Sequence, residues 1–136
     1  MEKDKISGSC LCGSFQFEID GPIGDVRLCH CAICRRANGS AYSANAKISL
    51  SRFRVVRETS PISSYESSPG ARKHFCSVCG SPIFSLVDWD ADHVRIRLGT
   101  LPGDAKANVV AHVWVGSKAS WDQIADDLPQ FEQHPV

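Results

Sequence analysis

FCSVCGSPIF, residues 75–84, sets Cys76 and Cys79 three positions apart with Gly80 directly behind them. Thiols two or three positions apart converge on one ion, whereas disulfide partners are usually scattered along a chain. The spacing predicts a metal knuckle whose turn is eased by Gly80. A knuckle supplies two sulfurs, and a closed structural zinc site takes four. GSCLCGSFQFEI, residues 8–19, offers the other two, because Cys10 and Cys12 lie on one side of an extended segment. Cys10, Cys12, Cys76 and Cys79 are therefore expected to form one closed site.

Upstream of the knuckle, CHCAICRRANGS (29–40) holds Cys29, Cys31 and Cys34, and these three groups account for all seven cysteines of the chain. Zinc with three protein ligands keeps a fourth position open, so the triplet predicts a second site with a vacancy. The reverse pairing, triplet plus one borrowed cysteine, strands the remaining thiols and stands as the alternative. Three imidazoles leave zinc a dication that acidifies bound water. Three thiolates leave a single net negative charge, so water is a poor fourth partner and soft sulfur a better one. This favours a thiol held as thiolate beside an aldehyde, with cations to stabilise the developing alkoxide. Arg35 and Arg36 follow Cys34 and are candidates for that role, against a reading as solvent-facing arginines. His30, between Cys29 and Cys31, should point away from their metal. His74 shares a face with Cys76, and His112 with Trp114; packing explains both equally well. The aromatic set Phe15, Phe17, Phe75, Phe84, Trp114 and Trp121 is expected to be core.

With 136 residues, 43% hydrophobic and 22% charged, the chain has the composition of a soluble globular protein, expected as one zinc-binding domain over 1–136. The first residues (MEKDKISGS) lack the apolar core of a signal peptide, and no apolar run approaches membrane-spanning length. An odd cysteine count in metal spacing argues against a disulfide-stapled secreted domain, and a reducing cytoplasm is the expected compartment. Net charge is zero, yet residues 27–57 carry seven basic side chains and no acidic one. Compensation of thiolate charge, a small anionic ligand and nucleic acid are the three readings. Nucleic acid is disfavoured, because exposed aromatics are scarce in the stretch.

The hydrophobic pattern reads as short strands. Phe15, Phe17 and Ile19 alternate with polar residues, and Val26–Cys31 leads into the triplet. A helical turn over 32–37 ends at Asn38-Gly39. Further strands are expected at 41–48, 53–57, 62–67, 72–76, 83–87, 94–98 and 110–115, with a hairpin turn at 88–92. Ser120–Asp127 suits a short helix capped by Ser120 and stopped by Pro129. The expected class is all-β, of short antiparallel strands with metal knuckles and a short C-terminal helix.

Those three cysteine segments, with IRLGTLPGD (96–104) and HVWVGSKASWDQIADDLPQF (112–131), resemble the glutathione-dependent formaldehyde-activating enzymes, a family that includes centromere protein V. The resemblance implies a β-tent fold, a structural zinc at Cys10, Cys12, Cys76 and Cys79, and a catalytic zinc at Cys29, Cys31 and Cys34. It also implies a carbon–sulfur lyase similar to S-(hydroxymethyl)glutathione synthase, acting on a thiol such as glutathione and on an aldehyde such as formaldehyde. A non-catalytic zinc-binding domain for protein or nucleic-acid interaction is the competing expectation.

Overall fold

The structure is a computed structural model and describes residues 5–134. Ten strands in two sheets and one α-helix are found among the described residues. The smaller sheet orders β1 (Lys5–Ser9), β2 (Phe15–Asp20) and β5 (Phe53–Glu58) as β1-β2-β5, all antiparallel. The larger contains β3 (Asp25–Cys29), β4 (Ser43–Ser49), β6 (Ile62–Ser68), β7 (Ala71–Cys76), β8 (Pro82–Val87), β9 (His93–Arg97) and β10 (Asn108–Val113). Its order is β10-β3-β4-β9-β8-β7-β6. The helix α1 spans Ala32–Asn38.

Alternation decides which faces meet. Phe15, Phe17 and Ile19 of β2 are buried while the residues between them are half-exposed. They pack with Ala46, Ile48, Ile83, Phe84, Val94 and Ile96 of the larger sheet into one core. Phe84 is the hinge pin: its ring lies 6.2 Å from Phe15 and 5.6 Å from Phe53. Gly8 of β1 leaves room for the Phe17 ring, which a Cβ there would strike. The two sheets thus lean together over shared aromatics, the tent-like arrangement the resemblance implies.

Three differences from the sequence-based expectation matter. Lys5–Ser9 is a strand, although its short polar run has no hydrophobic period to announce it. β10 pairs with β3 in parallel, with Val113 beside Cys29 and His112 beside Leu28. A parallel pair needs a long crossover, and the stretch after β9 provides it. The C-terminal helix expected over 120–127 is not formed. One of its carbonyls is used elsewhere: Lys118 Nζ donates to Asp122 O, and to Ala119 O just before the segment. The chain then lies along β10, where His112 N donates to Pro129 O (2.9 Å) and Phe131 N to His112 O (2.9 Å). A helix of two turns is marginal in water.

Candidate metal centres

The first cysteine group joins the two sheets. Cys10 and Cys12 sit in the loop after β1, Cys76 ends β7, and Cys79 lies in the turn to β8. Gly80 adopts φ of 79°, which only glycine takes without strain, and its amide donates to Cys76 O (2.9 Å). The four sulfurs all lie within 4.8 Å of one another. Cys12 Sγ is 3.7 Å from both Cys10 Sγ and Cys76 Sγ. A tetrahedral ion with metal–sulfur bonds of about 2.3 Å holds its sulfurs about 3.8 Å apart. The spacing is thus that of ligands around an ion and far beyond a disulfide bond. All seven cysteines are free.

Amide hydrogens also point at these sulfurs. Phe15 N donates to Cys10 Sγ, and Val78 N and Cys79 N donate to Cys76 Sγ, each at 3.4 Å. Such bonds favour the thiolate. Cys79 is pulled down to about 5 by hydrogen bonds from the Ser81 hydroxyl and backbone and from the Cys12 backbone, and Cys76 is lowered by the Cys79 amide and the Ser14 hydroxyl. Ser14 Oγ lies 3.3 Å from Cys76 Sγ, and Ser81 Oγ 3.1 Å from Cys79 Sγ. Neither serine is distinguishable in the sequence from an ordinary turn residue.

The second group gathers where β3 ends. Cys29 is the last residue of β3, beside Ser43 of β4 and Val113 of β10. Cys31 caps α1, its sulfur accepting from Cys34 N at 3.3 Å, and Cys34 is buried in the first turn of the helix. The three sulfurs lie within 4.8 Å of one another, and no fourth His, Cys, Asp or Glu joins them among the described residues. Three thiols so close cannot all ionise unaided. Cys31 is drawn down to about 2 by hydrogen bonds from Cys29 and Cys34, and donating to those neighbours pushes Cys29 strongly up. A divalent cation relieves that conflict, and the donor set suits a soft-tolerant metal such as zinc. Both clusters can hold metal ions.

Cations distant in the sequence also bear on the triplet. Arg36 is exposed and Arg35 half-buried. From the basic stretch, Arg54 pairs with Glu18 (2.6 Å) and Asp20 (3.5 Å), and Lys47 with Asp90 (3.1 Å). Lys73 of β7 and Arg97 of β9 are cations whose charged forms the triplet sulfurs favour. Burial lowers the Lys73 ammonium, Arg97 lowers it further, and Cys34, Cys31 and Cys29 hold it up. Arg97 is likewise lowered by burial and held up by Cys34 and Cys29. Its guanidinium donates to Asn45 Oδ1 (2.8 Å) and Ser85 Oγ (2.6 Å), and Lys73 faces Ser85 across the β7–β8 ladder. A polar row therefore crosses the large sheet from the strand beside Cys29 to Lys73.

His30 turns away from the sulfurs, as its place between Cys29 and Cys31 predicts. It is fully buried, with Nε2 2.9 Å from His112 Nδ1. His112 Nε2 meets the Asp126 carboxylate at 3.0 Å. His112 does not share a packed face with Trp114, because Trp114 takes φ of 59° and leaves the strand. His74 stacks on Phe84 at 4.6 Å, a packing role. Trp121, expected in the core, is 70% exposed.

An open cavity of about 370 Å³ lies between the clusters. Leu11 and Ser81 wall it on the side of the four-cysteine group, Asn38 and Ala44 on the side of the triplet, and Arg97 contributes to its lining. Asn38 is one helical turn beyond Cys34 and on the same face.

The family model described as glutathione-dependent formaldehyde-activating enzyme matches residues 5–117. No curated protein matches the chain. A crystal structure of a Rhodobacter sphaeroides protein is similar in fold, with a TM-score of 0.61 at 24% sequence identity, covering 76% of this chain and 99% of that one.

Proposed function

Because the chain belongs to the glutathione-dependent formaldehyde-activating enzyme family, we propose that it is a zinc-dependent carbon–sulfur lyase that forms or cleaves a thiol–aldehyde adduct. In this reading residues 1–136 are one zinc-binding domain working in the cytoplasm. Cys10, Cys12, Cys76 and Cys79 hold a structural zinc, and Cys29, Cys31 and Cys34 hold the catalytic one. Glutathione and formaldehyde are the family's substrate pair. The observation that carries the reading is the triplet, three thiols converging with no fourth protein donor among the described residues.

When bound there, zinc supplies a soft Lewis-acidic position at which an incoming thiol loses its proton. The chain's own residues do the rest. Sulfur attacks the carbonyl carbon, the π pair moves to oxygen, and the proton lost by the thiol returns to that oxygen. Nothing is oxidised or reduced. Lys73, the cation bearing on all three sulfurs, is suited to stabilise the developing alkoxide in a half-buried setting where charge acts strongly. The cavity beside α1 and β9 gives the remainder of the thiol a place to lie, so that reacting atoms are held rather than met by chance.

The test is adduct formation between glutathione or smaller thiols and formaldehyde, followed with and without zinc-loaded protein. We expect acceleration that Cys31→Ser abolishes, and a thiol-dependent change in the spectrum of cobalt-substituted protein. If no thiol of a varied panel perturbs the metal and the rate stays at the uncatalysed level, the domain is a non-catalytic zinc-binding module.

A further inference from the structure

A buried chain of polar groups lies behind the triplet and takes no part in the chemistry proposed for it. His30 separates Cys29 from Cys31 and is fully buried, and His112 of β10 is 3% exposed. His30 Nε2 lies 2.9 Å from His112 Nδ1, and His112 Nε2 lies 3.0 Å from a carboxylate oxygen of Asp126. The hydrogen bond from His112 holds the Asp126 carboxyl below the usual carboxylate range, and an ionised carboxylate only accepts. His112 therefore donates from Nε2; with its ring uncharged it accepts at Nδ1, where His30 donates. His30 Nδ1 makes no hydrogen bond, and Asp122 Oδ2 stands 3.8 Å from it. The His30 amide donates to Val113 O at 3.0 Å, so its backbone and its ring are both tethered to β10. Asp126 is itself held, because Leu128 N donates to its Oδ1 at 3.0 Å.

We propose that His112 and Asp126 are positioning residues for the triplet: through His30 they fix the backbone that carries Cys29 and Cys31, and so set how firmly the three sulfurs hold their ion. The inference rests on the metal reading of Cys29, Cys31 and Cys34 and adds residues one and two hydrogen bonds beyond His30. Two of the three sulfurs flank His30 in the chain, so freedom gained by its ring or its amide passes directly to them. A buried polar chain fixes one arrangement only when each member has its partner. Without the carboxylate, His112 can carry its proton on Nδ1 instead, and the two rings lose their single direction of donation. Outer partners of this kind tune metal sites although they bind no metal themselves. The four-cysteine group is supported differently, by hydrogen bonds from Ser14, Ser81 and nearby amides. The relay therefore acts on one site and leaves the other alone.

Asp126→Ala removes the far end of the relay at an exposed position, so the fold should survive the change. Chelator competition against the full, zinc-loaded chain, followed by metal analysis, resolves the two ions, and Cys31→Ser identifies the step that belongs to the triplet. In Asp126→Ala the triplet ion should be held about tenfold more weakly, with the four-cysteine ion held as in the wild type. Asp126→Asn, whose amide oxygen still accepts from His112, should recover most of that loss. In cobalt-substituted protein the thiolate-to-cobalt bands of the triplet should shift in Asp126→Ala and return in Asp126→Asn. His112→Gln, which cannot bridge both neighbours as the ring does, should weaken the triplet likewise and serves if Asp126→Ala does not fold. Unchanged triplet affinity in a folded variant overturns the inference and leaves the metal reading standing. Equal weakening of both ions also overturns it, because that marks a general loss of stability. If the wild-type protein takes up no ion at the triplet, the metal reading falls, and this inference with it.

Discussion

Asp90 shows what one side chain does when its charge is matched on several sides. Asp90 follows β8 and collects three basic partners: His93 Nδ1 at 2.8 Å, Lys47 Nζ at 3.1 Å and an Arg95 terminal nitrogen at 3.2 Å. Hydrogen bonds from His93 and Lys47 hold its carboxyl down to about 2. A carboxyl lowered on folding contributes stability that is present above its unfolded value of about 4 and is lost as pH falls through the folded one. Thermal unfolding of Asp90→Asn should therefore trail the wild type by a steady margin above pH 4, and the gap should close toward pH 2. Metal released by acid affects both proteins alike, so the difference isolates Asp90. A gap unchanged at pH 2 would sink this assignment.

At the level of elements, the two cysteine groups tie different amounts of chain. The four-cysteine group links the loop after β1 to the β7–β8 turn, so it joins the small sheet to the large one. The triplet connects only the end of β3 to the helix that follows at once. Structural zinc can contribute on the order of 10 kcal/mol to folding, comparable to the whole stability of a domain. Cys76→Ser is expected to yield a largely unfolded chain at room temperature, whereas Cys31→Ser should fold and melt cooperatively. Circular dichroism of the two purified variants checks this, and equal losses in melting temperature would contradict it.

For the whole molecule, the proposed sites imply up to two zinc ions per chain with unequal retention. A stepwise challenge with a chelator should remove the ion at Cys29, Cys31 and Cys34 first, before the fold is lost. Both ions leaving in one step, together with the fold, would count against separate roles. Much of this was legible in the sequence. Cysteine spacing has only a few geometric outcomes, so both clusters could be read without a structure. Alternation at Phe15, Phe17 and Ile19 likewise had one sheet-facing solution. What could not be read depends on which distant segments become neighbours. Lys73 and Arg97 reach the triplet only through the ladder β7-β8-β9, and nothing near Cys29 in the chain announces them. The bridge of Gln130 to His112 on β10 is another long-range pairing that local propensity does not see.

The separation of the four-cysteine group along the chain has a consequence for biosynthesis. Cys29, Cys31 and Cys34 emerge from the ribosome together, while Cys10 and Cys12 must wait for Cys76 and Cys79 before their set is complete. A nascent chain thus presents a local three-thiol trap ahead of its closed one, and does so before Lys73 and Arg97 have been synthesised. In the proposed reading, the protein meets metal in the reverse of its final order of retention. The first ion captured is the one held less firmly, and the ion that locks the sheets arrives last.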